Sequence, residues 1–276
     1  MLLIWDGLQV QIPRTMEPVI LDRGFIRLVG PELPTVELRF APEKRPFDPH
    51  KDPRRILRAA ELSGQTLDPC GEPWAQRLPG NLYTSDRLSL LQFRDSRGLV
   101  AILFSAPPPP NMAQTILTSL HWVSPRTWRR WCCYDITFET PPDYALDKAV
   151  FRPGRFHLTF THGPGKLIFD RLAPANVLLD HTNLVAWCRQ YLGDGADSGT
   201  TIVSVGDTEV DVFTKPSYFY RTLPWLPGLH PPLRGKIRHV VEGNKILVVT
   251  EQGPEMTAAT YHRILTSYAI TPSLQS

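Results

Sequence analysis

Ile116-Leu117-Thr118-Ser119 recurs as Ile264-Leu265-Thr266-Ser267, and Leu78-Pro79-Gly80 recurs as Leu226-Pro227-Gly228, both at an offset of 148 positions. Two separate matches at one offset describe a unit written twice. A repeated stretch of this length is ordinarily a folding unit, so the organisation can be read before any chemistry. The expectation is a first repeat over 1–123, a Trp/Arg-rich linker over 124–131 and a second repeat over 132–276.

Working outward from the tetrapeptide, each copy ends a short helical pattern. Ile116, Leu117 and Leu120 share one face in the first half, and Tyr261, Ile264, Leu265 and Tyr268 share one in the second, at three- and four-residue spacing. The strands ahead of these helices also match in order. Leu8, Val10 and Ile12 alternate with Gln9 and Gln11 and stop at Pro13; Tyr134, Ile136 and Phe138 alternate with Asp135 and Thr137 and stop at Pro141. Gly24–Val29 matches Arg155–Phe160, and the returning strand Val36–Phe40 matches Lys166–Phe169, across Gly/Pro turns that suit antiparallel hairpins. A helix then follows in each half. The first is expected over Pro53–Leu62, with Asp52 as N-cap and Pro53 at the first turn, and the second over Ala175–Leu192, stopped by Gly193. Later strands are read at Leu88–Phe93, Leu99–Phe104, Thr201–Val205, Glu209–Phe213, Lys236–Val241 and Lys245–Thr250. The fold class is therefore α+β: two tandem similar units, each a mainly antiparallel sheet with packed helices.

An early strand ended by proline, hairpins, a helix, further strands and a closing helix with an Ile-Leu-x-Ser pattern resemble the PsbP/DcrB-like fold in both halves. That superfamily includes photosystem accessory proteins, a Ran-binding relative, bacterial envelope proteins and chaperone-like adaptors for secreted effectors. The resemblance implies a binding or assembly role. It brings no shared catalytic motif, so no catalytic residues carry over from it. The chain departs from the lumenal and lipoprotein members by starting Met1-Leu2-Leu3-Ile4-Trp5-Asp6, which has no basic start and reaches an acid within six residues, so no signal peptide is expected. A cytoplasmic location is the expectation.

Bulk properties narrow the function classes. Hydrophobic residues make up 42% of the 276 and charged residues 21%, the balance of a chain that folds around a core. The 28 prolines punctuate loops rather than fill helices. A net charge of +3 does not call for a polyanionic partner, and no stretch approaches the roughly 20 continuous apolar residues of a membrane helix. Four cysteines do not make a disulfide framework, and there is no Cys-x-x-Cys, His-Glu-x-x-His, Gly-x-Ser-x-Gly or P-loop. No cofactor, metal site or catalytic residue is expected from motifs.

Three local compositions remain. Trp122 to Trp131 holds three tryptophans and three arginines in ten residues. Such a segment could stack on bases while meeting phosphates, but its place between the repeats favours an interdomain clamp of Trp128, Arg129, Arg130 and Trp131. Nucleic acid is thus an unfavoured partner. Ser217–Pro227 is dense in aromatics, and Tyr218, Tyr220 and Trp225, with Trp187 of the second long helix, are read as the partner-binding residues. The leading function is a non-catalytic cytoplasmic adaptor or assembly factor whose partner is another protein. The alternative is an enzyme with a site at the interface of the repeats, assembled from His157, Asp170 and His181.

Overall fold

The computed structural model describes residues 1–42, 66–93, 98–122, 128–193, 199–214 and 232–271. The chain divides into two compact units, Met1–Tyr134 and Asp135–Ser276. Strands dominate both. Four short α-helices and one 3-10 turn complete the regular structure of the described residues, so the fold is mostly β with some helix.

The first unit runs β1 (Leu2–Trp5), β2 (Leu8–Gln11), β3 (Glu17–Asp22), β4 (Phe25–Gly30), β5 (Leu33–Pro42), β6 (Asp68–Pro69), a 3-10 turn (Pro73–Arg77), β7 (Gly80–Thr84), β8 (Leu88–Phe93), β9 (Gly98–Phe104), α1 (Pro110–Ser119), β10 (His121–Trp122) and β11 (Arg129–Cys133). Seven strands form one antiparallel sheet in the order β3-β4-β5-β9-β8-β7-β6, and β10, β2, β1 and β11 lie side by side as a second, smaller set. The second unit runs β12 (Ile136–Thr140), β13 (Ala145–Arg152), β14 (Arg155–His162), β15 (Gly165–Leu172), α2 (Ala175–Leu178), α3 (Leu184–Leu192), β16 (Thr200–Ser204), β17 (Glu209–Thr214), β18 (Leu233–Val240), β19 (Lys245–Gln252), α4 (Ala258–Ser267) and β20 (Ala269–Ile270). Its antiparallel sheet has the order β13-β14-β15-β19-β18-β17-β16, and β12 pairs with β20.

Both large sheets share one connectivity. Three strands meander, four more meander back, and the last of the seven pairs with the third. Equivalent glycines turn the first hairpin of each. Gly24 and Gly154 take φ of +63° and +82°, which favours glycine, and their carbonyls accept from Phe40 and Ala173, each at 2.9 Å.

Period-two alternation decides which face each helix covers. In the first unit Val100, Ile102 and Phe104 of β9 share a buried face with Val36, Leu38, Ile116 and Leu117. In the second, Leu158, Phe160, Leu167 and Phe169 line the face toward α4, where Tyr268 meets Phe169 and Phe138 edge-on at 5.2 and 5.9 Å. The opposite face, with Leu172, Val210, Val212, Ile237, Ile246 and Val248, is covered by Trp187 and Cys188 of α3.

The expected helix over Ala175–Leu192 is two pieces. His181 adopts φ of +62°, a conformation no helix continues through. Asn183 then starts α3 anew, its side chain accepting from the Ala186 amide at 2.9 Å. The helix expected over Pro53–Leu62 lies outside the described residues. Strands β3, β7 and β13 escaped the alternation test. Register shifts interrupt β3 beside Pro18 and β13 between Leu146 and Lys148, and neither strand has a clean apolar period.

Candidate partner-binding site

Tyr218, Tyr220 and Trp225 lie outside the described residues. Trp187 is 7% exposed and stacks on Tyr191 at 5.0 Å, so it packs the core instead of presenting a surface. Trp128, Arg129, Arg130 and Trp131 all belong to the first unit, the last three within β11, which pairs with β1 through Ile4 and Cys132. Trp131 is fully buried edge-on against Trp5 at 5.1 Å. Arg129 holds Asp6 at 3.0 Å. Burial nevertheless keeps the Asp6 carboxyl above its ordinary range, against the pull of Arg129.

His157, Asp170 and His181 are all in the second unit. Two of them meet. Asp170, 1% exposed on β15, lies opposite His157 of β14, with His157 Nδ1 at 3.0 and 3.1 Å from its two oxygens. Arg155 Nε donates to Asp170 Oδ1 at 2.9 Å and the Tyr191 hydroxyl donates to Oδ2 at 2.7 Å. Burial, then the neighbouring carboxylate, push the Tyr191 phenol far above its ordinary pKa, so it stays a donor. A carboxylate facing three donors fixes Nδ1 as the protonated nitrogen of His157 and leaves little lone-pair capacity for proton abstraction. His181 stands apart from this network, exposed and paired with Asp180 at 3.2 Å. The arrangement ties α3 to the sheet. Among the described residues no cluster of three or more His, Cys, Asp or Glu is placed to hold a metal ion.

An open hollow of about 540 Å³ lies at the β18–β19 hairpin of the second unit. Arg238, Glu242, Lys245 and Thr271 give it polar walls, and Val240, Leu247 and Ile270 give it apolar ones. Each side chain is placed by its strand. Arg238 of β18 reaches the end of α4, where Nη2 donates to the Leu265 carbonyl at 3.3 Å and also to the Tyr268 carbonyl. These are the carbonyls that a helix end leaves without intrahelical donors. Lys245 Nζ and Arg171 Nη2 converge on Asp135 Oδ2 at 2.6 and 2.5 Å. Burial pushes the Asp135 carboxyl up, but Arg171 and Lys245 outweigh it and hold the group below its ordinary value.

The same cluster is under-bonded. Asp135 Oδ1, Arg171 Nε and Thr271 Oγ1 are buried without a hydrogen-bond partner. The three residues adjoin, since the Thr271 amide donates to the Asp135 carbonyl at 2.8 Å and Arg171 grips the Asp135 side chain. An unpaired buried polar atom costs roughly 1–3 kcal/mol, so three of them on adjoining residues are a concentrated deficit, and Thr271 carries it to the wall of the hollow. The set comprises a donor, an acceptor and a hydroxyl that does both. No sequence motif marked these residues: Asp135 lies in the turn after β11, Arg171 on β15 and Thr271 just after β20. A smaller hollow of about 300 Å³ in the first unit lies between Trp74, Phe104, Pro107 and Leu117.

No family model and no curated protein matches the chain. Among solved structures, it is similar to the Ran-binding protein Mog1p of Saccharomyces cerevisiae, with 10% identity over 52% of this chain and 95% of that one, at a TM-score of 0.35. A second is the immunity protein TplEi of the T6SS from Pseudomonas aeruginosa complexed with "L" peptide, with 11% identity over 99% and 98% of the two chains, at 0.36. MucB in complex with MucA gives 13% identity over 96% and 88%, at 0.22. No helix among the described residues is long and apolar enough to cross a membrane.

Proposed function

We propose that the chain is a non-catalytic protein-binding adaptor or assembly factor, and that its second unit holds the partner at the hollow beside Asp135. The observation that carries this reading is the open, half-apolar hollow at the β18–β19 hairpin, whose polar wall is Arg238, Glu242, Lys245 and Thr271. A peptide group supplies an acceptor and a donor together, which suits a wall that offers the donors Arg238 and Lys245 and the acceptor Glu242. The apolar walls Val240, Leu247 and Ile270 suit a neighbouring side chain. The two units descend, on this reading, from one duplicated PsbP/DcrB-like unit, and the second has kept the binding role.

The test is affinity purification of the tagged full chain from its native cell, beside Ala269→Arg, which fills the hollow from its wall, and Thr271→Val, which removes the unpartnered hydroxyl. A stoichiometric protein partner retained by the parent and lost by Ala269→Arg is expected, with Thr271→Val intermediate. A partner retained equally by all three, or none at all, contradicts the proposal.

A further inference from the structure

The large sheet of the second unit ends on β16, and the direction of its backbone groups can be assigned. Val205 N–H donates to the Glu209 carbonyl at 2.8 Å. In an antiparallel ladder the groups of alternate residues turn the same way, so Val203 and Thr201 also face β17. Thr200, Ile202 and Ser204 therefore direct their N–H and C=O groups away from the sheet.

Natural sheets blunt such edges, and among the described residues three of the four edge strands of the two large sheets are blunted. Strand β3 has Pro18, a register shift and the acids Glu17 and Asp22. Strand β6 is the two residues Asp68 and Pro69. Strand β13 has a register shift between Leu146 and Lys148, beside the charged Asp147. Strand β16 reads Thr-Thr-Ile-Val-Ser, with no charge, no proline and an unbroken register against β17. On one face it exposes Val203 at 43%, and Val205 at 46% follows it, with Phe213 of β17 at 38% beside Thr201.

We infer that β16 is a self-association edge, on which two copies of the chain pair antiparallel about a twofold at Ile202. The occupant is a second copy because the edge complements itself. The twofold sets Ile202 against Ile202 of the second copy, and Thr200 against its Ser204, so every outward N–H meets an outward C=O. On the exposed face Val203 comes beside Thr201 of the second copy and diagonal to its Val203, with Phe213 on the next strand beyond, which continues the apolar strip across the join. The two acids of β17 that share this face, Glu209 and Asp211, are both held by Lys236, at 3.0 and 3.2 Å. A pairing of five-residue strands falls well below the roughly 1,200 Å² of a stable interface, so the dimer is weak and exchanges rapidly.

Sedimentation equilibrium of the full chain, from low micromolar to submillimolar concentration, tests this. Concentration-dependent dimer that persists in high salt is the expected result. Ile202→Pro removes an N–H that points away from β17 and so costs no bond within the chain. It should weaken dimerisation about tenfold or more, with an unchanged circular dichroism spectrum. Val203→Lys, which sets like charges across the twofold and leaves the backbone alone, should weaken it similarly and decides the matter if the proline variant misfolds. A wild type that stays monomeric throughout overturns the inference, as does a dimer that Val203→Lys leaves intact.

Discussion

The Ser267 hydroxyl accepts the backbone N–H of Glu139 at 2.9 Å while donating to the Ile264 carbonyl at 2.8 Å. Ser119 does the same in the first unit, accepting from Gln11 at 2.9 Å and donating to Ile116 at 2.8 Å. The repeated Ile-Leu-Thr-Ser thus has a physical content. Its isoleucine is buried against the sheet, and its serine stitches the last helical turn to a short strand that precedes the large sheet. Thr118 and Thr266 return to their own helix, to Gln114 and His262 carbonyls at 2.7 and 3.0 Å.

Ser267→Ala should destabilise its unit by about 1–2 kcal/mol because it strands the partly buried Glu139 N–H, and Ser119→Ala should cost less because water reaches the exposed Gln11 N–H. Ile116→Ala and Ile264→Ala should cost more, about 2–5 kcal/mol, by opening a cavity under the helix. Urea unfolding followed by circular dichroism distinguishes these sizes. Equal, negligible losses for both serines would remove the explanation given for the repeat.

Removing the Tyr191 hydroxyl leaves Asp170 buried with one donor fewer. Tyr191→Phe should lower stability by about 1–3 kcal/mol while keeping the ring stack on Trp187. Hydrogen exchange across 184–192 should rise more than exchange in β14 and β15. A variant as stable as the parent would show that α3 is held by apolar contacts alone.

Asp135 gives the acid limb of stability a sign. Its folded pKa lies below the ordinary value because Arg171 and Lys245 outweigh burial. The stabilisation is then present above the unfolded pKa of roughly 3.9 and is lost as pH falls through the lower folded value. Between pH 5 and pH 3, about where that window opens, the urea midpoint of the parent should fall more steeply than that of Asp135→Asn. At neutral pH the variant should be the less stable of the two, since both cations lose their partner. Parallel acid limbs would contradict this.

Thiol chemistry should follow burial. Cys132, Cys133 and Cys188 are buried and Cys70 is half-buried, and none of the four forms a disulfide. Burial pushes the Cys188 thiol up to about 11, so almost no thiolate is present near neutral pH. Brief alkylation of the folded chain, read by peptide mass spectrometry, should modify Cys70 first and Cys188 only after unfolding.

Much of this fold was legible in the sequence because its strands alternate cleanly. Gly98–Phe104 buries every second residue, as its pattern demands. What escaped were edges and ends, where pairing rather than burial defines the strand. Arg129–Cys133 has the composition of a linker and becomes a strand only because β1 lies beside it. The break after Leu178 was hidden because Asp180-His181-Thr182 interrupts an apolar stripe without a glycine or proline. The hollow and the ion cluster next to it were illegible for another reason. Asp135, Arg171, Lys245 and Thr271 are far apart in sequence, and only the register of β15 on β19 and the return of the chain after β20 bring them together.

The claim that the hollow is where a partner protein sits is tested most directly by position-specific photocrosslinking in the native cell. A photoreactive residue at Val241, 62% exposed between the hollow residues Val240 and Glu242, is compared with one at the exposed Lys148 on the far edge of the same sheet. A discrete protein adduct from position 241, absent at 148 and abolished by Ala269→Arg, is the expected result. Adducts of equal yield from both positions, or an adduct at 241 that survives Ala269→Arg, would contradict the account.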